Sequence, residues 1–182
     1  TATAIPFSLQ LATGIKLVGF LTEEMPPGRQ PITTRLLLPT ERERAYTFVK
    51  AQAEKGHQAF IICPLVEESD KIEAKAAVDE HKRLQTDVFP SLSLGLLHGR
   101  MKGQEKEEMM GRFAQGEVDV LVATSVVEVG IDVPNATVML IEGADRFGLA
   151  QLHQFRGRVG RGEHPSYCLL VSDSSTPEAQ ER

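Results

Sequence analysis

Ala59-Phe60-Ile61-Ile62-Cys63 is an almost unbroken apolar run, set off by Gly56 upstream and Pro64 downstream. A strand with one wet face alternates polar and apolar residues, whereas a strand covered on both faces reads as continuous hydrophobic sequence. The run therefore predicts a buried strand of a covered sheet. Upstream, Thr40-Glu41-Arg42-Glu43 has capping-box spacing, which predicts a helix start with the Thr40 hydroxyl meeting first-turn amides. Ala45, Phe48, Val49 and Ala53 follow at helical period as a buried face, and Gly56 closes the helix. Before it, residues 34–38 form a short apolar strand ended by Pro39.

Downstream the alternation continues. Residues 70–85 are polar with alanines and read as a second helix, and 92–97 as a strand. Residues 103–115 read as a third helix with Met109, Met110 and Phe113 turned inward. The segments 118–123, 137–141 and 167–171 read as further strands. Strand and helix alternating through short connections predict an α/β domain, its sheet mostly parallel and its helices on both faces. Ligands of such sheets gather beyond the carboxyl ends of the strands. Ahead of this domain, residues 8–22 show no clean period. Residues 23–31 hold Pro26, Pro27, Gly28 and Pro31, which marks a linker. The expected division is 1–32, 33–172 and a polar tail at 173–182.

The 182 residues, 41% of them hydrophobic, are enough for one domain with a proper core. No apolar run approaches a membrane span and no signal peptide opens the chain. The formal charge of −5 repels nucleic acid in bulk, so any DNA or nucleotide contact must come from a concentrated basic face. Cys63 and Cys168 sit inside apolar runs and read as reduced, buried residues of a cytosolic protein. The five histidines show no ligand spacing, so no metal site is expected. The pattern G-x-x-x-x-G-K-[ST] is absent, which removes the usual cradle for nucleotide phosphates. The chain opens at Thr1 without a methionine and reads as a piece of something larger.

The most concentrated chemistry lies in Gln151-Leu152-His153-Gln154-Phe155-Arg156-Gly157-Arg158-Val159-Gly160-Arg161-Gly162. With Arg146, four arginines and no lysine fall between positions 146 and 161. A guanidinium is planar and always charged, and grips phosphate oxygens through paired donors. The interleaved glycines let the backbone approach whatever it touches. Arginine in preference to lysine points to shaped anion recognition. The bland counterpart is a solvated basic loop at a helix end, favoured by the helix dipole.

Gln154-x-x-Gly157-Arg158-x-Gly160-Arg161 resembles the sixth motif of superfamily 2 helicases, where the arginines reach ATP bound against a neighbouring lobe. Arg146-Phe147-Gly148-Leu149-Ala150-Gln151-Leu152-His153-Gln154 narrows the resemblance to the RecG family of DNA helicases, with transcription-repair coupling translocases close behind. Cys63-Pro64-Leu65 with Glu67-Glu68-Ser69 resembles the same family. Thr1-Ala2-Thr3 followed by Ile5-Pro6 is similar to the family's third motif, although Ala4 and Phe7 stand where the family has Pro and Arg. By that likeness Thr1 and Thr3 would couple ATP state to DNA grip.

Leu96-Leu97-His98-Gly99-Arg100-Met101 sits between a strand and a helix. A glycine and an arginine ahead of helix amides can seat a phosphate, and a turn with incidental polarity fits the same residues. The stretch resembles the fourth motif, which implies contact of Gly99 and Arg100 with the DNA backbone. His98 by itself is an ordinary loop residue. Ala123-Thr124-Ser125-Val126-Val127-Glu128-Val129-Gly130-Ile131-Asp132-Val133-Pro134 resembles the fifth motif. The resemblance implies that Thr124, with Ser125, holds a DNA phosphate through hydroxyl and backbone amide. It also implies that Gly130 and Asp132 lie at the nucleotide, with Asp132 accepting from the ribose. Local chemistry alone favours a capped helix followed by a Pro-terminated turn with Asp132 solvated; the pairing with the arginine loop favours the motif.

The resemblance covers essentially the whole chain. It implies a three-layer αβα, RecA-like lobe of the P-loop NTPase type, the helicase C-terminal lobe. Arg158 and Arg161 would be catalytic, Gln154 would relay the presence of γ-phosphate, and ATP with Mg²⁺ would be bound mainly by a missing first lobe. The expected partners are branched or forked DNA, that first lobe and a wedge domain of the same chain, with no membrane, in a bacterial cytoplasm. The expected function is ATP-driven translocation on double-stranded DNA for fork reversal and Holliday junction branch migration. The alternatives are a transcription-repair translocase, an RNA helicase lobe and a non-catalytic nucleic-acid-binding module.

Overall fold

A computed structural model of the chain describes residues 31–64, 70–124 and 132–173. Six strands form one all-parallel sheet. In chain order they are β1 (Ile32–Leu37), β2 (Gln58–Ile62), β3 (Leu94–Leu97), β4 (Val120–Ala123), β5 (Ala136–Ile141) and β6 (Ser166–Val171). Across the sheet the order is β1-β6-β5-β2-β4-β3, so β2 sits inside and β1 and β3 are edges. The helices are α1 (Arg42–Ala53), α2 (Asp70–Arg83), α3 (Gly103–Ala114) and α4 (Leu149–Arg156).

Two cores explain why the decisive run has no polar positions. Phe60 and Ile62 join Leu121, Ala123, Met139 and Ile141 in a core closed by Met110 and Phe113 of α3 and Phe155 of α4. Ala59 and Ile61 point the other way, with Val120, Val122, Val138 and Leu140, onto Ala45, Tyr46 and Val49 of α1. Successive strand residues alternate faces, and here both faces are covered. The three-layer α/β architecture expected from the sequence is the one that forms.

Element ends differ from expectation for identifiable reasons. Pro39 opens a short 3-10 turn, Pro39–Glu41, so Thr40 lies inside the turn and α1 starts at Arg42 without a side-chain cap. The Leu38 N–H instead donates to Glu41 Oε2 at 3.1 Å. On α1 the fully buried position expected for Phe48 falls to Tyr46, whose hydroxyl finds a partner within the fold. Phe48 is half-buried and meets Tyr167 edge-on, with ring centroids 4.9 Å apart. Gly56 at φ +86° closes the turn after α1. After α2 the chain runs into a wide turn, Leu84–Val88. There Gln85 Nε2 donates to Leu92 O (2.9 Å), and Gln85 Oε1 accepts from the Leu94 N–H (3.3 Å). Asp119 Oδ2 accepts the Ser93 N–H at 2.7 Å. Side chains satisfy these groups, and β3 begins at Leu94, two residues later than expected. The helix Leu149–Arg156 is foreseen only in the alternative reading of the basic stretch as a loop at a helix end; its eight residues, bracketed by Gly148 and Gly157, are too few for a readable period.

Candidate functional site

The chemistry-bearing loops cluster on two turns that dock together. After α4, the buried Val159 anchors the chain in the α3–α4 core and Gly160 at φ +73° reverses it. Arg161 is thereby turned back along α4. Its Nε–H donates to Gly157 O (3.0 Å) and its Nη1–H to Asp132 Oδ1 (3.0 Å). A cation at a helix C-terminus satisfies end carbonyls and complements the dipole. The Arg161 side chain is 18% exposed and that of Asp132 60%, so the arginine is held and the carboxylate stays accessible. Gly162 then packs against backbone: a Cβ there would lie 2.5 Å from Pro134 O. The close approach predicted for these glycines thus occurs at Gly162, against the chain's own Pro134.

The other arginines of the stretch diverge. Arg156 Nη2 reaches Ile32 O of β1 at 3.5 Å, and its Nε is buried. Arg158 is half-buried and Gln154 exposed, and neither side chain forms a hydrogen bond or ion pair among the described residues. Arg146 belongs to a separate turn, Ala144–Arg146, between β5 and α4, and its side chain is exposed.

Gly99 and Arg100 are exposed in the turn between β3 and α3. The expected phosphate seat there is partly taken up internally. The Lys102 N–H donates to Glu105 Oε2 (2.8 Å), and Lys106 Nζ covers Gly99 O (2.9 Å). Thr124 directly follows β4 with its N–H committed to Leu97 O (3.1 Å), so only its hydroxyl is available for the role the resemblance implied. Thr1, Thr3, Ser125 and Gly130 lie outside the described residues, as do residues 23–30 of the expected linker and Glu67-Glu68-Ser69.

Sequence reasoning missed an ionic network at the carboxyl ends of β2, β5 and β6. Glu142, 7% exposed, accepts from the Tyr46 hydroxyl at 2.8 Å and from Arg42 Nε at 2.9 Å. Arg42 also reaches Asp173 (3.2 Å), while Arg83 donates to Tyr46 Oη (3.1 Å) and pairs with Glu80 (2.7 Å). Burial, with Glu142 beside it, holds the Tyr46 phenol far above its ordinary range. The readable signal was a carboxylate directly after the buried run of β5, which must find partners or stay out of the core. Cys63 and Cys168 are free and buried as expected; burial pushes their thiols up to about 12 and about 11. Among the described residues no three His, Cys, Asp or Glu side chains gather as a metal site, and no helix is long and apolar enough to cross a membrane.

Residues 41–163 match the family described as helicase conserved C-terminal domain. The chain is 50% identical, over its whole length, to the ATP-dependent DNA helicase RecG of Synechocystis sp., of which it spans 22%. It is 51% identical over its whole length to that of Thermotoga maritima, of which it spans 23%. Among solved structures, RecG bound to a three-way DNA junction superposes with a TM-score of 0.74 at 48% identity, covering 87% of this chain and 20% of that one. Domain 2 of the DEAD-box helicase Mss116p, bound to an RNA duplex, shares the fold with a TM-score of 0.60 at 20% identity, covering 78% of this chain and 54% of that one. The chain therefore spans roughly a quarter or less of these RecG relatives. A parallel sheet covered on both faces, the arginine loop docked at Asp132 and Pro134, and a family match running from α1 to that loop lead to one conclusion: the chain belongs to the helicase conserved C-terminal domain family.

Proposed function

We propose that this chain is the second RecA-like motor lobe of an ATP-dependent DNA helicase that moves double-stranded DNA and acts on forks and Holliday junctions. Residues 33–172 are the lobe proper, 1–32 the end of a first lobe with its linker, and 173–182 a polar tail. The setting is a bacterial cytoplasm, and the partners are branched DNA and, within the same protein, a first lobe and a wedge domain. The whole-length identity to RecG helicases supports this reading. A transcription-repair translocase, an RNA helicase lobe and a passive binding module draw no comparable support.

The observation that carries it is the pairing of Arg161 with Asp132. The donor set fits ATP. Arg158 and Gln154 present free donors, Arg161 is preorganised by Gly157 O and Asp132, and the accessible Asp132 can accept from a ribose hydroxyl. When bound in the cleft between lobes, ATP supplies the phosphoryl group and a first lobe holds its Mg²⁺. Arg161 and Arg158 place fixed positive charge where the equatorial oxygens gain negative charge, and a cation held in advance acts there without reorganising solvent. Where such arginines are known they contribute roughly three to five orders of magnitude in rate. Gln154 signals the state of that site to α4, while Thr124, Gly99 and Arg100 hold the DNA backbone.

The test is single-turnover hydrolysis by the complete enzyme carrying Arg161→Ala or Arg161→Lys, beside nucleotide titration and thermal melts. Alanine is expected to abolish turnover and leave ATP binding largely intact. Its effect on melting is expected to be small, because the paired carboxylate is mostly in water. Lysine is expected to fail almost as badly, since it keeps the charge and loses the planar donors. Near-normal hydrolysis by the lysine variant, or an alanine variant that is simply unfolded, would overturn the assignment.

A further inference from the structure

Arg146 lies on a turn apart from the Arg161–Asp132 pair. It lines a cleft of about 490 Å³ at the carboxyl ends of β2, β4 and β5, together with Pro64, Thr124, Glu142 and Gly143. The cleft is built where two turns touch. Gly143 adopts φ +54°, and a Cβ on it would lie 3.0 Å from Pro64 Cγ and 3.5 Å from Arg146 Cδ, so the arginine stem lies over this glycine. The Arg146 N–H closes the turn onto Gly143 O at 2.9 Å.

Two donors in this cleft are unused. Thr124 is 2% exposed, and its Oγ1 is buried without a hydrogen-bond partner. A buried hydroxyl left without a partner is destabilising, and such atoms in a native fold call for an explanation. Arg146 forms no side-chain hydrogen bond or ion pair among the described residues. The carboxylates bordering the cleft are mostly committed: Glu142 to Arg42 and Tyr46, Glu80 to Arg83, and Asp173 to Arg42, with Glu43 exposed on α1. A buried, unpartnered hydroxyl and an exposed, unpaired guanidinium line the same cleft, where an entering anionic oxygen would be an acceptor for both.

We propose that Arg146 is a DNA-binding residue and shares with the Thr124 hydroxyl one phosphodiester of the bound DNA backbone. The inference rests on the reading of this lobe as part of a DNA motor. It adds a residue outside the sixth-motif arginines and explains the orphaned hydroxyl.

The experiment measures binding of the complete enzyme to a forked DNA across a salt series, for wild type, Thr124→Val, Arg146→Ala and the double variant, with melts and ATP titrations alongside. Each single substitution is expected to weaken DNA binding about 10-fold, the scale of one hydrogen bond to a charged group. Arg146→Ala is expected to lower the log–log salt slope by about one, and Thr124→Val to leave it unchanged because no charge is lost. The double variant is expected to bind little worse than the weaker single, since both donors serve one phosphate. Thr124→Val is expected to melt no lower than wild type, because it deletes a hydroxyl that has no partner in the fold. Multiplying effects, an unchanged slope in Arg146→Ala, a loss of ATP affinity with DNA binding intact, or a marked fall in melting temperature for Thr124→Val would each overturn the shared seat. Failure of the wild-type enzyme to bind forked DNA would overturn the DNA-motor reading and this inference with it.

Discussion

Replacing Gly162 with alanine probes how tightly the arginine loop is seated. Gly162 is not among the positive-φ glycines, so its backbone accepts an L side chain and the added methyl is the whole perturbation. That Cβ would lie 2.5 Å from Pro134 O and 3.2 Å from Pro134 C, both rigid backbone. Reaching ordinary van der Waals separation requires the two turns to part by roughly 0.9 Å. The Arg161–Asp132 contact spans the same junction at 3.0 Å, and a displacement of that size takes it out of hydrogen-bonding range. Overpacking of this kind costs about 1 to 3 kcal/mol, or roughly 2 to 12 °C in melting temperature for a domain of this size. Misplacing a catalytic group by about 1 Å costs on the order of 100-fold in rate. The assay is DNA-stimulated ATP turnover of the complete enzyme carrying Gly162→Ala, beside Gly111→Ala, where an added Cβ meets nothing within 4 Å. Gly162→Ala is expected to lose about 100-fold in turnover with a modest fall in melting temperature, and Gly111→Ala to lose neither. Wild-type turnover by Gly162→Ala would refute the claim that docking on Pro134 positions Arg161.

Tyr46→Phe deletes the hydroxyl that donates to the buried Glu142 and accepts from Arg83. A hydrogen bond to a charged group is worth about 2 kcal/mol, so thermal unfolding should come roughly 4 to 8 °C lower, and an unchanged melt would show that Arg42 alone satisfies Glu142. Stability should also fall in alkali. The Cys63 and Cys168 thiols are raised to about 12 and about 11, chiefly by burial, so the fold keeps protons that the unfolded chain releases above about pH 8.5. Their contribution is complete below that pH and declines as pH rises toward 11 and 12, with Tyr46 adding the same sign above about pH 10. Urea midpoints should be flat from pH 7 to 8 and lower at pH 9.5; a flat or rising midpoint would contradict thiols held neutral by burial.

The sheet was legible because both of its faces are covered. The apolar runs at 59–63, 118–123 and 137–141 have one physical cause: β4 forms within its run, and β2 and β5 each begin one residue ahead of theirs, at Gln58 and Ala136. Tyr46 was not legible, because its place in the core depends on Glu142, nearly a hundred residues away in sequence. The arginine stretch was legible as chemistry but not as geometry. α4 ends at Arg156 and the chain reverses at Gly160, so the arginines beyond the helix no longer share its face. Arg156 therefore faces β1 and Arg161 meets Asp132, although sequence proximity grouped them in one grip. The docking of Gly162 on Pro134 joins two loops that local patterns treat separately.

The parallel pairing of β1 with β6 has a mechanical consequence. Ile32 lies beside Ser166 and Leu37 beside Val171, so the chain enters this strand pair at one end and leaves it at the other. A tensile load applied between Pro31 and Asp173 would run along both strands in opposite directions. It would stress their rungs together in shear instead of unzipping them one at a time. The same load on a hairpin would peel rungs in succession. The pair is thus oriented to pass force across the sheet while the strands stay registered, and pulling experiments on it would report the rate of forced unfolding.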